Sequence, residues 1–262
     1  MRMQLALLAL FAGGVAGATE PQGASEQKGS TEQEGVIDPK ADAALKKMSA
    51  YVGGLGSFTV DTKTVDEKVT TEGHKIQEVQ DSKVTVQRPG QLKVERISPR
   101  GHTVFKDDGK QFSIYNKEKN AYVTAPAPST IDAAVDAARE KFQVDAPAGD
   151  LLVANPYDAL IEGTIKGHYV GLEPIDGTMA HHIAIAKKDV DLQLWIKDGP
   201  DAVPLRYVIT TRDDKTQPQF TAELTNWQPN ATVSKTSFAF TPPPGAKKID
   251  LSERSKSEGG NK

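Results

Sequence analysis

Val190-Asp191-Leu192-Gln193-Leu194-Trp195-Ile196, followed after a turn by Leu205-Arg206-Tyr207-Val208-Ile209-Thr210, carries the clearest strand pattern in the chain. Val190, Leu192, Leu194 and Ile196 alternate with Asp191, Gln193 and Trp195, and Leu205, Tyr207 and Ile209 alternate with Arg206, Val208 and Thr210. A period of two places successive side chains on opposite faces of a strand, so each segment is a strand with one apolar face. Phe220, Ala222 and Leu224 opposite Thr221, Glu223 and Thr225 repeat the pattern downstream.

Upstream, the same period begins at Ser57 and persists through turn signals. Asp108-Gly109 separates Val104-Phe105 from Phe112 and Ile114, and Asn116 to Asn120 precedes Tyr122-Val123. Such short connections join antiparallel hairpins, and the whole pattern predicts about eleven strands. Helical spacing is confined to three places. Asp38-Pro39 reads as an N-cap with proline in the first turn, ahead of Ala41, Ala44, Leu45, Met48, Tyr51, Val52 and Leu55, and Gly53, Gly54 and Gly56 stop the helix. Ser129 and Asp132 read as a capping box for the stripe Ile131, Ala134, Val135, Ala138 and Phe142. Asn155-Pro156 starts a short helix through Ile161. Few helices beside many one-faced strands predict an α+β fold with the helices on one side of a large antiparallel sheet. A sheet of that many strands must curl.

The ends carry other signals. Arg2, an apolar run from Leu5 to Val15 and then Ala16-Gly17-Ala18 have the order of a secretory signal peptide over residues 1–18, with Thr19 as the expected mature N-terminus. The run is shorter than the roughly 20 residues that span a bilayer, and no later run approaches that length, so no integral membrane segment is expected after cleavage. Residues 19–36 read as a disordered spacer, because up to Gly35 they hold no aliphatic side chain larger than alanine and no aromatic. Residues 252–262 read as a disordered tail, which leaves 37–251 for one folded domain. Loss of Arg2 with the leader takes Lys+Arg from 32 to 31 against 35 Asp+Glu, a formal charge of −4. A mildly acidic chain lacks the basic stripe of a nucleic-acid binder. Cysteine is absent, which excludes disulfides, thiolate metal sites and a lipidated cysteine anchor.

Arg88-Pro89-Gly90-Gln91-Leu92, the run Val104-Phe105-Lys106-Asp107-Asp108-Gly109-Lys110-Gln111-Phe112-Ser113-Ile114-Tyr115-Asn116, and Phe238-Ala239-Phe240-Thr241-Pro242-Pro243-Pro244-Gly245 together resemble the LolA/LolB-like periplasmic lipoprotein-carrier superfamily. The stretch 191–196 with Pro204-Leu205-Arg206 is similar to an uncharacterised family of predicted periplasmic proteins that shares that fold, and this second likeness is the closer one. The resemblance implies a curved antiparallel half-barrel whose concave side is covered by helices and encloses an apolar cavity for acyl chains. It also implies that Arg88 points into the cavity and helps to hold the lid. Parity agrees, since Val84, Val86 and Arg88 share one strand face. A guanidinium there needs acceptors, and carbonyls of a lid loop or a carboxylate can supply them. Leu92 stands where the carrier has a bulky aromatic. With two Trp and eight Phe, the chain predicts a cavity with less aromatic lining than the carrier's. Val84, Val86, Arg88 and Leu92 are therefore the candidate ligand-binding residues.

Catalytic and metal constellations are not expected. His181 and His182 point to opposite strand faces and cannot share one metal without a bulge; no His-x-x-x-His or Gly-x-Ser-x-Gly spacing occurs. Gly53-Gly54-Leu55-Gly56 follows a helix, where a phosphate cradle would follow a strand. Asp189 and Asp191 read as a solvent-facing pair and Trp195 and Trp227 as packing residues. The function expected is a non-catalytic periplasmic binding protein, without a cofactor, that holds a lipid, an acylated protein or an apolar partner segment as carrier, chaperone or sensor. The alternative is an interaction or regulatory module that meets an envelope protein at a sheet edge; a hydrolase is the third class.

Overall fold

A computed structural model describes residues 36–140 and 148–249. The leader, nearly all of the spacer, the tail and Phe142 of the middle helical stripe lie outside the described residues. The chain runs β1 (Val36–Ile37), α1 (Pro39–Gly54), β2 (Ser57–Val69), β3 (Lys75–Gln87), β4 (Gln91–Ser98), β5 (Gly101–Asp108), β6 (Gln111–Asn116), β7 (Ala121–Pro126), α2 (Ile131–Glu140) and α3 (Pro156–Ile161). It continues with β8 (Thr164–Ile175), β9 (Thr178–Lys187), β10 (Val190–Lys197), β11 (Pro204–Thr211), β12 (Gln219–Pro229) and β13 (Lys247–Lys248).

The thirteen strands among the described residues form one curved, unclosed sheet in the order β1-β8-β9-β10-β11-β12-β2-β3-β4-β5-β6-β7-β13. The eleven long strands pair antiparallel, and the two-residue strands at the edges add parallel pairs. The sheet is thus two meanders, β2–β7 and β8–β12, stitched where β12 pairs β2 from Phe220↔Asp66 to Pro229↔Phe58.

Helices cover the concave side. Asp38 caps α1 by accepting from the Lys40 N–H at 2.7 Å, and Ala41, Ala44, Leu45, Met48 and Val52 are buried along its apolar stripe. They join Phe58, Val60, Val84, Val86, Ile183, Ile185, Leu192, Leu194, Ile196, Tyr207, Ala222 and Leu224 in the main core, with Ile131 and Val135 of α2 and Leu160 of α3. Ser49 ties α1 to α3: its hydroxyl donates to Asn155 Oδ1 and accepts from the Tyr157 N–H, both at 3.0 Å.

The cap of α2 differs from the sequence expectation. Thr130, not Ser129, holds the first turn, accepting from the Ala133 N–H at 3.2 Å, and Asp132 is engaged elsewhere. The helix starts one residue later because the Ile131 N–H is committed to the Pro89 carbonyl at 2.8 Å. On the convex side, the stretch from Phe238 to Ile249 straps β5–β7: Phe240 packs on Tyr115 and Tyr122, Lys106 donates to the Ala239 carbonyl, and Ile249 N–H donates to the Tyr122 carbonyl.

Candidate functional site

Register fixes which side chains line the concave face, because residues paired across antiparallel strands share a face. From the buried pair Val60↔Val84, one row runs through Val94, Phe105, Ile114 and Val123. The next runs Phe58, Val86, Leu92, Asp107, Phe112 and Ala125, and a third Thr62, Ser82, Arg96, Thr103, Asn116 and Ala121. Along the first row burial falls off: Val60 and Val84 are 1% and 8% exposed and lie in the core, whereas Val94, Phe105, Ile114 and Val123 are only half-buried. Leu92 and Val94 pack against the core cluster from its margin, and Phe105, Ile114 and Val123 lie beyond it. Along this row the concave face over β4–β7 is therefore apolar without being part of the closed core, whereas Asp107 and Phe112 in the next row are buried.

Of the four candidate residues, Val84 and Val86 sit inside the core that α1 closes, Leu92 lies at its edge, and Arg88 lies just beyond the end of β3. Arg88 is half-buried, its Nη2 donates to the Val153 carbonyl at 2.9 Å, and its backbone N–H donates to the Gly56 carbonyl. Burial lowers its pKa below the usual guanidinium value, and the charge of Asp132 opposes that shift. Asp132 accepts from the Ala154 N–H at 3.0 and 3.1 Å, so the loop 153–154 is held from one side by Arg88 and from the other by α2. Gly90 and Gly53 permit this closeness. A Cβ at Gly90 would stand 2.1 Å from the Ser129 carbonyl oxygen, and one at Gly53 would stand 2.3 Å from that of Ala154. The Arg88-Pro89-Gly90 turn is thus a latch between the sheet, α2 and the loop before α3. Sequence reasoning reached Arg88 but missed Asp132 as its companion, because Asp132 looked like a cap.

Asp107 is a further concave-face residue that sequence reading did not single out. It is 2% exposed between Leu92 and Phe112, accepts from the Gly109 N–H at 2.8 Å, and burial pushes its carboxyl up to about 6. Its position in an Asp-Asp-Gly turn signal hid it.

The histidines are engaged separately, as strand parity predicts. His181 Nδ1 meets the Tyr169 hydroxyl at 2.9 Å and its Nε2 meets Asp198 at 3.1 Å, while His182 stacks on Trp195 and bonds Gln193. Trp195 belongs to a small convex cluster with Ala180 and Val208, and Trp227 packs on Phe58. Asp191 faces solvent and accepts from Arg212 at 3.4 Å. One cleft of about 520 Å³ is lined by Lys63, Lys83, Glu95 and Glu223 together with Thr62 and Ser82, and another of about 330 Å³ by Val203, Leu205 and Trp227.

The fold is a curved, unclosed α+β half-barrel whose helices cover one part of the concave side and leave an apolar row on the other. Residues 41–252 match the family described as predicted periplasmic protein (DUF2092), and the chain belongs to that family. No curated protein matches the sequence. Solved structures similar to it include lipoprotein LppX of Mycobacterium tuberculosis, 16% identical with a TM-score of 0.48 over 75% of this chain and 98% of that one. LprF of Mycobacterium bovis is 20% identical with a TM-score of 0.46, over 81% of this chain and 100% of the other. A LolA superfamily protein of Nitrosomonas europaea is 13% identical with a TM-score of 0.40, over 76% and 97%.

Proposed function

We propose that this is a non-catalytic periplasmic protein, exported through a cleaved leader, that holds the acyl chain of a lipid or lipidated partner against the concave face of β4–β7. The observation that carries this reading is the half-buried apolar row Val94, Phe105, Ile114 and Val123, continuous with the core yet outside it. Contiguous apolar surface that a fold leaves uncovered is most useful where an apolar ligand completes it. Loading needs the latch to give: Arg88 and Asp132 hold the loop 153–154 down, and Leu92 at the margin of the core becomes a ligand contact when it lifts, with Val84 and Val86 as the buried wall behind it. Membership in a family of predicted periplasmic proteins supports the compartment.

Native mass spectrometry of the protein purified from its own periplasm is expected to show co-purified lipid, with N-terminal sequencing returning Thr19. Repeated absence of lipid, together with no uptake of a fluorescent fatty acid, would sink the proposal. A second reading has its own observation. On β8, which β1 covers only at Lys166 and Gly167, and on β9 beside it, Ile165, Val170, Leu172 and Met179 are 58%, 54%, 47% and 42% exposed. Exposed apolar strand edges suit strand addition by a partner protein. A partner captured with undiminished affinity after Ile114→Glu would favour the edge.

A further inference from the structure

Arg96 stands on the concave face of β4, two residues beyond Val94, and pairs across the strands with Ser82 and Thr103. No hydrogen bond or ion pair engages its guanidinium among the described residues, in contrast to Arg88, Arg100, Arg206 and Arg212, each of which has an acceptor. The concave neighbours in its own row, Thr62, Ser82, Thr103, Asn116 and Ala121, carry no charge, and the row above it is the apolar one. The carboxylates on this face are committed or distant in register: Asp66 pairs with Lys68, Glu78 pairs with Arg100, Glu118 beside Gly101 accepts from the His102 N–H, and Asp107 lies two rows away on the far side of the apolar row. Arg96 is half-buried, and burial lowers its pKa with no opposing charge. Its guanidinium has no protein acceptor and none of its nitrogens is sealed from solvent, so the site is open and complementary to an anion brought from outside.

Position decides what kind of anion. The cation sits at the boundary where the concave face changes from apolar to polar, with the apolar row one two-residue step, about 7 Å, along the strand. A free ion would leave that row unused, and a neutral lipid would leave Arg96 unpaired. We infer that the ligand of the concave site is an acidic lipid whose carboxylate or phosphate head group pairs with Arg96 while its acyl chain lies on Val94, Phe105, Ile114 and Val123. The inference rests on the proposed acyl site and adds the chemical class of the head group. A guanidinium fork meets either head with two parallel N–H donors.

The test compares a fluorescent long-chain fatty acid with its methyl ester, titrated into the mature full-length protein and into Arg96→Gln, Arg96→Lys and Thr103→Glu. Wild type is expected to bind the acid about tenfold or more tightly than the ester, the margin of one charge-assisted hydrogen-bonded pair. Arg96→Gln should erase that margin with the ester unchanged, and Arg96→Lys should keep part of it. Thr103→Glu supplies a carboxylate across the strand pair and should weaken the acid alone, which guards against a folding defect in the Arg96 variants. Equal binding of acid and ester by wild type, or a margin untouched by Arg96→Gln, overturns the head-group assignment and leaves the acyl site standing. Binding of neither probe overturns the acyl site, and the assignment falls with it.

Discussion

The two halves of the concave face are built from the same alternating strands and end in different states. Over β2, β3 and β9–β12 the face meets α1 and α3, and Phe58, Val86, Ile183 and Leu194 are at most 2% exposed. Over β4–β7 the corresponding positions are just as apolar, yet Val94, Phe105, Ile114 and Val123 are half-buried, and the chain instead invests its C-terminal strap in the convex side. On the proposed function, stability and binding fall to different halves of one sheet: the filled half holds the fold, and the other half offers its apolar surface to a ligand.

The largest expected effect follows from that division. Leu45→Ala in α1, at 0% exposure, should cost about 3 kcal/mol, whereas Ile114→Ala should cost about 1 kcal/mol or less because its site is not closed. Denaturant unfolding of both variants checks this, and equal losses would erase the distinction between the halves. Gly90→Ala should cost about 2 kcal/mol, because its Cβ meets the Ser129 carbonyl and must push α2 away from the latch. The same variant should load an acyl probe faster, a result that a purely local clash would not produce.

Asp107→Asn should be smaller and pH-dependent. A carboxyl held near 6 in the folded protein against about 4 in the unfolded chain binds its proton more tightly when folded, so its contribution to stability falls as pH rises between those values. The amide keeps an acceptor for the Gly109 N–H and removes the buried charge. Thermal melts should show the variant about 1–2 kcal/mol more stable than wild type at pH 7, with the gain gone at pH 4. A gain independent of pH would contradict the account of Asp107. Arg88→Leu should change stability least, within about 1 kcal/mol, since an apolar side chain replaces a partly desolvated cation whose acceptor is a neutral carbonyl. Release of a bound acyl probe should slow, because the bond to Val153 holds the empty, closed arrangement that competes with the ligand.

Much of this was legible in the sequence. Two-residue alternation marked the start of β2, located β5–β7 and β10–β12 and gave the count of about eleven long strands, Asp38-Pro39 and Asn155-Pro156 marked the starts of α1 and α3, and parity put Arg88 beyond Val84 and Val86 on the helix-facing side. What alternation could not tell was how far the helices reach across the sheet. Val84 and Phe105 look alike as alternating apolar residues, and only the packing of α1 separates core from open face. The edge strands β1 and β13 escaped because two residues hold no period. Arg96 escaped for a different reason: a lone arginine in a strand reads as ordinary surface until register shows what stands across from it.

On the proposed function, an acyl chain lies on the apolar row Val94, Phe105, Ile114 and Val123 of the concave face. The most direct measurement is quenching of a tryptophan introduced by Ile114→Trp, on that face, or by Lys93→Trp, on the opposite face of β4, by a brominated fatty acid, with the parent signal of Trp195 and Trp227 subtracted. The account predicts strong, saturable quenching at position 114 and little at 93. Equal quenching at both, or none at 114 while the fatty acid still binds, would place the ligand elsewhere and contradict it.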